Sequence, residues 1–561
     1  MIERPKLEAL LASHPLAEAS RSLEYGTAGF RAKANMLKGV TARCGLLAAL
    51  RSISQLGKCI GVMITASHNP ASDNGVKIIE PDGSMLIPEW ENLAVQFVKA
   101  DSPSLFALIE KELKKCHDVQ SKPLVFIAHD TRASSCDLSA EVVQGIQAMN
   151  GSWKHLNLLT TPQLHFLVQK YNDGVFQEPN SDIYVHQFCE IFAKTQHNKT
   201  SSILHIDCAN GVGFSTFSQM NSIFNESGIN YFKLFNTLID QNDKLNLECG
   251  ADFVVVSVPF VKVHLTKTAR KSCRLYDQVD GFSIGPNQRW ASFDGDADRL
   301  IYWFIDENSG QLHLLDGNHL AVLYATFLCD QLKQNSIDLK CAVVQTAYAN
   351  SASTHYIERT LGLDVVCTKT GVKHLHHAAL EFDFGIYFES NGHGTITVSK
   401  KAQDIIKSNL PDDHELALFC SLINTSVGDA IADLLLAEFV LTRLDWTLEK
   451  WFALYTEYPS RLSKIEVKDR TLIETCDAER RVSKPESLQR KIDSLIAEAR
   501  AFEKKEVARA FVRPSGTENM VRVYAEASTK YVVDWLSDMV LYSVHELAAG
   551  YGDLPALPKP L

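Results

Sequence analysis

No apolar run in this 561-residue sequence approaches the roughly 20 residues that span a bilayer; the longest candidate, Ala430 to Leu441, is broken by Asp433 and Glu438. A membrane-spanning role is therefore not expected. The thirteen cysteines contain no CxxC pair and no metal-ligand spacing, and their number is odd. This pattern argues against a disulfide framework and a zinc ribbon, and reduced thiols in a cytoplasmic protein are the natural reading. The opening stretch MIERPKLEALLASHPLAEAS lacks a long apolar segment, so no secretion leader is expected. The sequons at Asn150, Asn198, Asn225 and Asn424 are accordingly read as chance matches. Basic charge is not in excess either: 56 Lys and Arg stand against 67 Asp and Glu, for a net charge of −11. That argues against a nucleic acid or an anionic membrane as partner, while leaving room for a locally basic site that takes a small anion. Low-complexity tracts and sequence repeats are also lacking.

What is present is an ordinary globular balance, 45% hydrophobic and 22% charged, in a chain too long for one core. Three to five domains are expected. Short apolar runs alternate with helix-like stretches: Cys59–Ile64, Leu124–Ala128, Ile203–Ile206, Leu300–Ile305, Ala342–Thr346 and Phe384–Phe388. This alternation predicts α/β domains with mostly parallel sheets, in which ligands sit in loops at the strand C-terminal ends. Polar stretches at Lys194–Ser202 and Asp306–Gln311 read as joints, Pro411–Asp413 as a surface loop, and Asp469–Gln489 as a charged, exposed segment. Beyond them, Ala508–Val512, Met520–Ala527 and the amphipathic stretch Tyr531–Ala549 predict a small α+β terminal domain.

Four loops carry chemistry. Thr65-Ala66-Ser67-His68-Asn69-Pro70 follows an apolar strand and closes on Asn-Pro. Such a turn favours an exposed serine hydroxyl, with His68 as a base or an orienting group; ordinary turn chemistry is the competing reading. Asp294-Gly295-Asp296-Ala297-Asp298-Arg299 places three carboxylates at alternate positions of an extended loop. Held that close, they repel unless a cation sits among them, and all-oxygen donors select Mg²⁺ or Ca²⁺ over zinc. Glu389-Ser390-Asn391-Gly392-His393-Gly394 offers groups suited to sugar hydroxyls, or is a polar hairpin turn. Arg513-Pro514-Ser515-Gly516-Thr517-Glu518, with Arg522 beyond, has the donors to cradle a phosphate. Together they imply phosphoryl transfer on a sugar.

On these residues the chain resembles the α-D-phosphohexomutase family, and within it the branch acting on acetylhexosamine phosphates. The matching stretches are YGTAGFR at Tyr25–Arg31, TASHNP with the following DNGVK, TTPQLH at Thr160–His165 and CGADF at Cys249–Phe253. SFDGDADR, TKTGVKHLHH, YFESNGHGT and RPSGTE with VRVYAEA complete the set, in the family's order over nearly the whole chain.

The resemblance implies three similar mixed or parallel-sheet α/β domains and a smaller α+β C-terminal domain around a central cleft. Their expected ranges are 1–190 with the phosphoserine loop, 191–310 with the metal loop, 311–450 with the sugar loop and 451–561 with the phosphate loop. It implies a phosphoserine at Ser67, with Mg²⁺ held by Asp294, Asp296, Asp298 and a phosphoserine oxygen. Lys77 stands at the family position suggested for proton transfer, a role that would need its pKa lowered; a phosphate-steering charge is the other reading. Arg31, Arg299 and His68 are implied as electrostatic or orienting partners. Glu389, Ser390, Asn391 and His393 would meet the sugar, and Arg513, Pro514, Ser515, Gly516, Thr517 and Arg522 the phosphate that is not reacting. Lys373 and His374 have weaker claims, and His129 and Arg132 read as structural. Asn391 stands where the glucose and mannose relatives typically have Ser, which is the residue that favours the acetylhexosamine branch.

The implied reaction moves a phosphate between O6 and O1 of N-acetylglucosamine through a 1,6-bisphosphate, which also serves as activator. The implied partner is a phosphosugar, without nucleic acid or membrane, and the assembly a monomer or homodimer in the cytoplasm. The C-terminal domain is expected to close over substrate. A glucose or mannose phosphate mutase, a serine phosphatase and a non-catalytic scaffold are the alternatives. The stretch from Val254 to Trp290 is longer than the family usually carries, and Ser390 replaces a usual Ala.

Overall fold

The computed structural model describes residues 4–116, 118, 120–195, 202–257, 278–279, 282–515 and 518–561. Most of the long Val254–Trp290 stretch, part of the Lys194–Ser202 joint, and the site candidates Gly516 and Thr517 lie outside the described residues. The chain divides into two compact units. The first comprises Met1–Gly317, Asn391–Ile396 and Gln403–Leu448, and the second Asn318–Ser390, Thr397–Ala402 and Glu449–Leu561.

The first unit holds two five-stranded sheets. One runs in the order Phe30–Lys33, Asp73–Ile79, Cys59–Ile64, Leu124–His129, Ser152–Leu158. Its first two pairings are antiparallel and its last two parallel. The other runs Leu312–Leu315, Leu300–Ile305, Arg289–Phe293, Leu204–Asp207, Phe232–Phe235, with the same succession of antiparallel and parallel pairings. The sheets are therefore mixed rather than mostly parallel. All six residues of Cys59–Ile64 are buried, as a central strand covered on both faces requires. The helix Lys38–Ser54 is buried from Gly39 to Ile53 and packs on Ser135–Ala148.

The polar stretch Asp306–Gln311 is a hairpin turn, not a domain joint. It links the antiparallel strands Leu300–Ile305 and Leu312–Leu315, and the Asp306 carboxylate accepts from the Ser309 N–H at 2.6 Å.

In the second unit, the strands Asp364–Thr368, Cys341–Thr346 and Phe384–Phe388 are parallel and adjacent in that order. A separate antiparallel sheet, Ser460–Glu466, Met520–Glu526 and Arg509–Pro514, carries the helices Glu486–Glu503 and Lys530–Leu547. This is the small α+β terminal domain that the sequence predicts. The segment Asp469–Gln489 is less exposed than its charge suggests. Ile473, Val482 and Leu488 are buried in the core of that domain, and the hairpin Glu474–Cys476 with Arg481–Lys484 lies within the segment. Among the described residues twelve cysteines are free, and no helix is long and apolar enough to cross a membrane.

Candidate active site

The serine loop leaves the C-terminal end of Cys59–Ile64 and is held by a buried scaffold. Ser67 has φ 51, a left-handed conformation that L-residues rarely adopt without support. The support is specific. Thr65 Oγ1 accepts the Ser67 N–H at 2.9 Å and donates to Asp130 Oδ2 at 2.7 Å. Arg132 donates to the carbonyls of Ser67, Asn69, Pro70 and Asp73 at 2.8, 2.9, 2.6 and 3.0 Å, and through Nε to Asp130 at 2.8 Å. Asn246 Nδ2 adds donors to Ser67 O and Asn69 O. The structural reading of Arg132 thus acquires a definite object, the backbone of the serine loop. His129 Nδ1 donates to the Asp130 carbonyl at 2.8 Å, a contact in keeping with its structural reading. The expectation of an exposed serine hydroxyl is corrected. Ser67 is 2% exposed, and its Oγ donates to Asp294 Oδ2 at 2.7 Å.

The acidic loop follows the strand Arg289–Phe293 and is a turn rather than an extended segment. Asp294 Oδ1 accepts the N–H groups of Asp298 and Arg299 at 3.0 and 3.2 Å, and Ala297 has φ 56. The turn brings carboxylate oxygens of Asp294, Asp296 and Asp298 within 4.8 Å of one another. It sits close against the serine loop: a Cβ on Gly295 would lie 2.7 Å from Ser67 O, so only glycine fits. All three carboxylates are buried. Asp296 Oδ1 and Asp298 Oδ1 have no hydrogen-bond partner among the described residues. Orphaned, buried, all-oxygen donors beside a serine hydroxyl fit a hard divalent cation such as Mg²⁺.

The electrostatics agree. Burial, then the Asp298 and Asp296 charges, push the Asp294 carboxyl well above the ordinary carboxylate range. Burial would also raise Asp298, but His393, Lys77 and Arg299 outweigh it and hold that carboxyl far below the usual value. The antiparallel pairing of Asp73–Ile79 with Cys59–Ile64 sets Lys77 opposite Met63. The Lys77 ammonium lies 3.0 Å from Asp296 Oδ2 and 3.3 Å from Asp298 Oδ2. Burial works against its charge, yet the two carboxylates more than offset it, and its pKa lies above the ordinary lysine value.

Other candidates of the first unit gather around the two loops. Arg31 Nη1 donates to Asn69 Oδ1 at 3.3 Å and lies 3.4 Å from His68 Nε2. The other His68 nitrogen pairs with Asp252, whose second oxygen accepts from Arg299 Nη1 at 2.7 Å. His393 Nδ1 is 3.8 Å from Asp298 Oδ1, and Asn391 Oδ1 accepts the His393 N–H at 3.0 Å. Sequence reasoning missed three residues here: Asp252, Asn246 and Thr161, which donates to Asp296 Oδ2 at 2.5 Å. Asp252 and Thr161 lie inside recognisable motifs, CGADF and TTPQLH, and could have been singled out; Asn246 carries no sequence signal.

The second unit holds the remaining candidates. Glu389 Oε1 accepts the Gly371 N–H at 3.0 Å, and Ser390 Oγ accepts from Asn318 Nδ2 at 3.0 Å. Lys373 lies in the first turn of the helix Val372–Ala379. Arg513 and Pro514 end one strand of the terminal sheet, and Arg522 is the direct cross-strand partner of Arg513. Two cations opposed across a ladder repel, an arrangement that an anion between them relieves. The Ser515 N–H bonds Met520 O at 2.8 Å, and its hydroxyl accepts the Glu518 N–H. Glu479, which nothing in the sequence marks, accepts from Arg513 Nε at 3.0 Å.

Comparison with known proteins agrees with this geometry. Residues 316–446 match the family model for phosphoacetylglucosamine mutase AMG1, domain III. Residues 46–104 and 97–177 match domain I of phosphoglucomutase/phosphomannomutase, and residues 462–541 its C-terminal domain. The chain is 42% identical over 548 residues to phosphoacetylglucosamine mutase of Sus scrofa, covering 95% of this chain and 96% of that one. It is also similar to the crystal structure of Aspergillus fumigatus N-acetylphosphoglucosamine mutase in complex with GlcNAc-6P and magnesium. The TM-score is 0.86 at 39% identity, covering 97% of this chain and 99% of that one. A variant of that enzyme in complex with glucose 1,6-bisphosphate matches at TM-score 0.86 and 38% identity, with the same coverage of 97% and 99%.

Proposed function

The chain belongs to the phosphoacetylglucosamine mutase family, and from that premise we propose that it interconverts N-acetylglucosamine 6-phosphate and 1-phosphate with Ser67 as phosphate carrier. The observation that carries the assignment is the Ser67 hydroxyl bonded at 2.7 Å to Asp294, one of three buried carboxylates turned to one point.

The residues divide the work. Ser67 holds the phosphoryl group and returns to it after each cycle. Asp294, Asp296 and Asp298, with a phosphoserine oxygen, would hold Mg²⁺, which when bound neutralises the phosphoryl charge. Lys77, with its ammonium between Asp296 and Asp298, adds a cation on the same side. Arg31 and Arg299 line the approach, and Asp252 keeps His68 and Arg299 in place. Glu389 and Asn391 orient the sugar through its hydroxyls, with Ser390, His393 and Lys373 alongside. Arg513, Ser515, Gly516, Thr517 and Arg522 hold the distal phosphate, with Pro514 shaping that loop.

In transfer from Ser67 the Oγ–P bond breaks as a bond from phosphorus to the free sugar oxygen forms, and the hydroxyl proton ends on the serine oxygen, giving the 1,6-bisphosphate. The bisphosphate then turns end for end, and Ser67 takes back the other phosphate. Catalysis of this kind is mostly positioning and charge neutralisation. We read the four ranges 1–190, 191–310, 311–450 and 451–561 as the parts that bring these loops. A sugar 1-phosphate product supports our reading of the step as part of UDP-N-acetylglucosamine biosynthesis. Twelve free thiols among the described residues support a reducing, cytoplasmic compartment.

Phosphorus NMR tests the reading. N-acetylglucosamine 6-phosphate, supplied with Mg²⁺ and a trace of sugar bisphosphate, should convert to the 1-phosphate. Turnover of glucose 6-phosphate in its place would overturn the role given to Asn391, and no turnover of any phosphosugar would overturn the function.

A further inference from the structure

The hairpin joining Glu474–Cys476 to Arg481–Lys484 carries an unusual tip. Asp477, Ala478 and Glu479 have φ 50, 53 and 67, three successive L-residues in the left-handed region. Single residues visit that region; runs of them are disfavoured at every step, and such strain persists only where the surroundings hold it. Arg480 closes the tip locally, its N–H and Nε donating to Asp477 O at 3.0 and 3.1 Å, and the contacts that tie the tip to the rest of the unit include those of the Glu479 side chain, which is 14% exposed. Its Oε1 accepts from Arg513 Nε at 3.0 Å. Its Oε2 accepts both the Thr370 N–H at 2.9 Å and the Thr370 hydroxyl at 2.7 Å. The next N–H along the chain, that of Gly371, goes to Glu389 Oε1 at 3.0 Å.

Two adjacent N–H groups are thus taken by two carboxylates, one tied to the phosphate-loop arginine and the other belonging to the sugar loop. Glu479 meets the guanidinium at Nε, and a carboxylate fixed there sets the plane in which the remaining N–H groups of Arg513 point.

Resting on the mutase reading above, we propose that Glu479 is a positioning residue that fixes Arg513 for the non-reacting phosphate and couples it, through Thr370 and Gly371, to Glu389. The strained hairpin tip is the structure that delivers this carboxylate. Substrate is then grasped at its phosphate and at its ring by groups with a common anchor.

The test is a double-mutant cycle on the full chain with Mg²⁺ present. The KM for N-acetylglucosamine 6-phosphate, and its Kd by calorimetry, are measured for wild type, Glu479→Ala, Arg513→Ala and the double variant. Losing one charged hydrogen-bond partner of Arg513 should raise KM and Kd about ten-fold, with kcat changed less than about three-fold. In the Arg513→Ala background the same substitution should add less than about two-fold, because the group it acts through is gone. Glu479→Gln, which keeps the side-chain shape and one acceptor, should fall between wild type and Glu479→Ala.

Equal losses in both backgrounds would mark Glu479 as a general structural support and overturn the proposal. Unchanged or tighter binding in Glu479→Ala would overturn it too, by making the carboxylate idle or a competitor of phosphate. A wild-type chain that neither binds nor turns over the phosphosugar would sink the mutase reading and this proposal with it. A functional wild type with additive losses sinks the proposal alone.

Discussion

Replacing Arg132 by Met should uncouple the serine loop from its scaffold without deleting any group that touches substrate. The Arg132 and Asp130 side chains are both 0% exposed and paired at 2.8 Å. Removing one partner of a buried ion pair costs about 3–5 kcal/mol, because the other is left charged and dry. The four carbonyls that Arg132 serves lose a cationic donor as well. Asn246 still reaches two of them, Ser67 O and Asn69 O, so part of that loss is recovered.

A net cost near 4 kcal/mol is comparable with the whole stability of a marginal domain, and the loop opens locally before the chain unfolds. It corresponds to roughly a thousand-fold greater population of the opened loop. Hydrogen exchange read by mass spectrometry should therefore accelerate by about 10²–10³ at the loop amides Thr65–Asn74. Mutase activity should fall with it, because Ser67 has φ 51 only while its carbonyl is held. Arg132→Lys should rescue little of the loop protection, since an ammonium has no fork with which to span four carbonyls. Exchange and kcat within two-fold of wild type in Arg132→Met would refute the reasoning.

Three further expectations follow from the same geometry. Chelation of divalent cations should abolish turnover and Mg²⁺ should restore it, while Asp296→Asn should weaken Mg²⁺ binding by calorimetry without unfolding the chain; undiminished affinity would clear Asp296 of the ligand role. Burial lowers His165 to about 4, so as pH falls from about 6.5 the unfolded chain takes up a proton that the folded chain refuses. Stability from this residue is then lost between about pH 6.5 and pH 4, by about 2 kcal/mol at pH 5, and His165→Gln should flatten that part of the denaturation profile. Asp252→Asn should lower kcat by about ten-fold by releasing His68 and Arg299 together, and a variant with wild-type kcat would remove Asp252 from the site.

The parts legible in the sequence are those whose chemistry is local. Three carboxylates at alternate positions announce a cation site because the donors are neighbours in the chain, although the geometry that gathers them is a turn closed by Asp294 on two N–H groups. The strand-then-loop pattern likewise places Ser67, Asp294 and Glu389 just beyond strand ends, as observed. What escaped is non-local. Asn246 meets the Ser67 backbone from 179 residues away, and although Arg132 reads as structural, no spacing rule links it to the Ser67 carbonyl 65 residues back. Glu479 reaches Arg513 across 34 residues from a hairpin with no motif. The turn at Ser67 favours an exposed hydroxyl in the sequence, but the acidic loop, 227 residues on, packs against it. Asp306–Gln311 reads as a joint because a polar hairpin turn and a polar linker share a composition.

The central claim is that phosphate rides on Ser67. Incubating the chain with Mg²⁺ and a sugar bisphosphate carrying labelled phosphate, then mapping the label by mass spectrometry, tests it most directly. Label should appear on the Ser67 peptide, unlabelled N-acetylglucosamine 6-phosphate should chase it into sugar phosphate, and Ser67→Ala should carry none. Label elsewhere, or label on Ser67 that substrate does not remove, would contradict it.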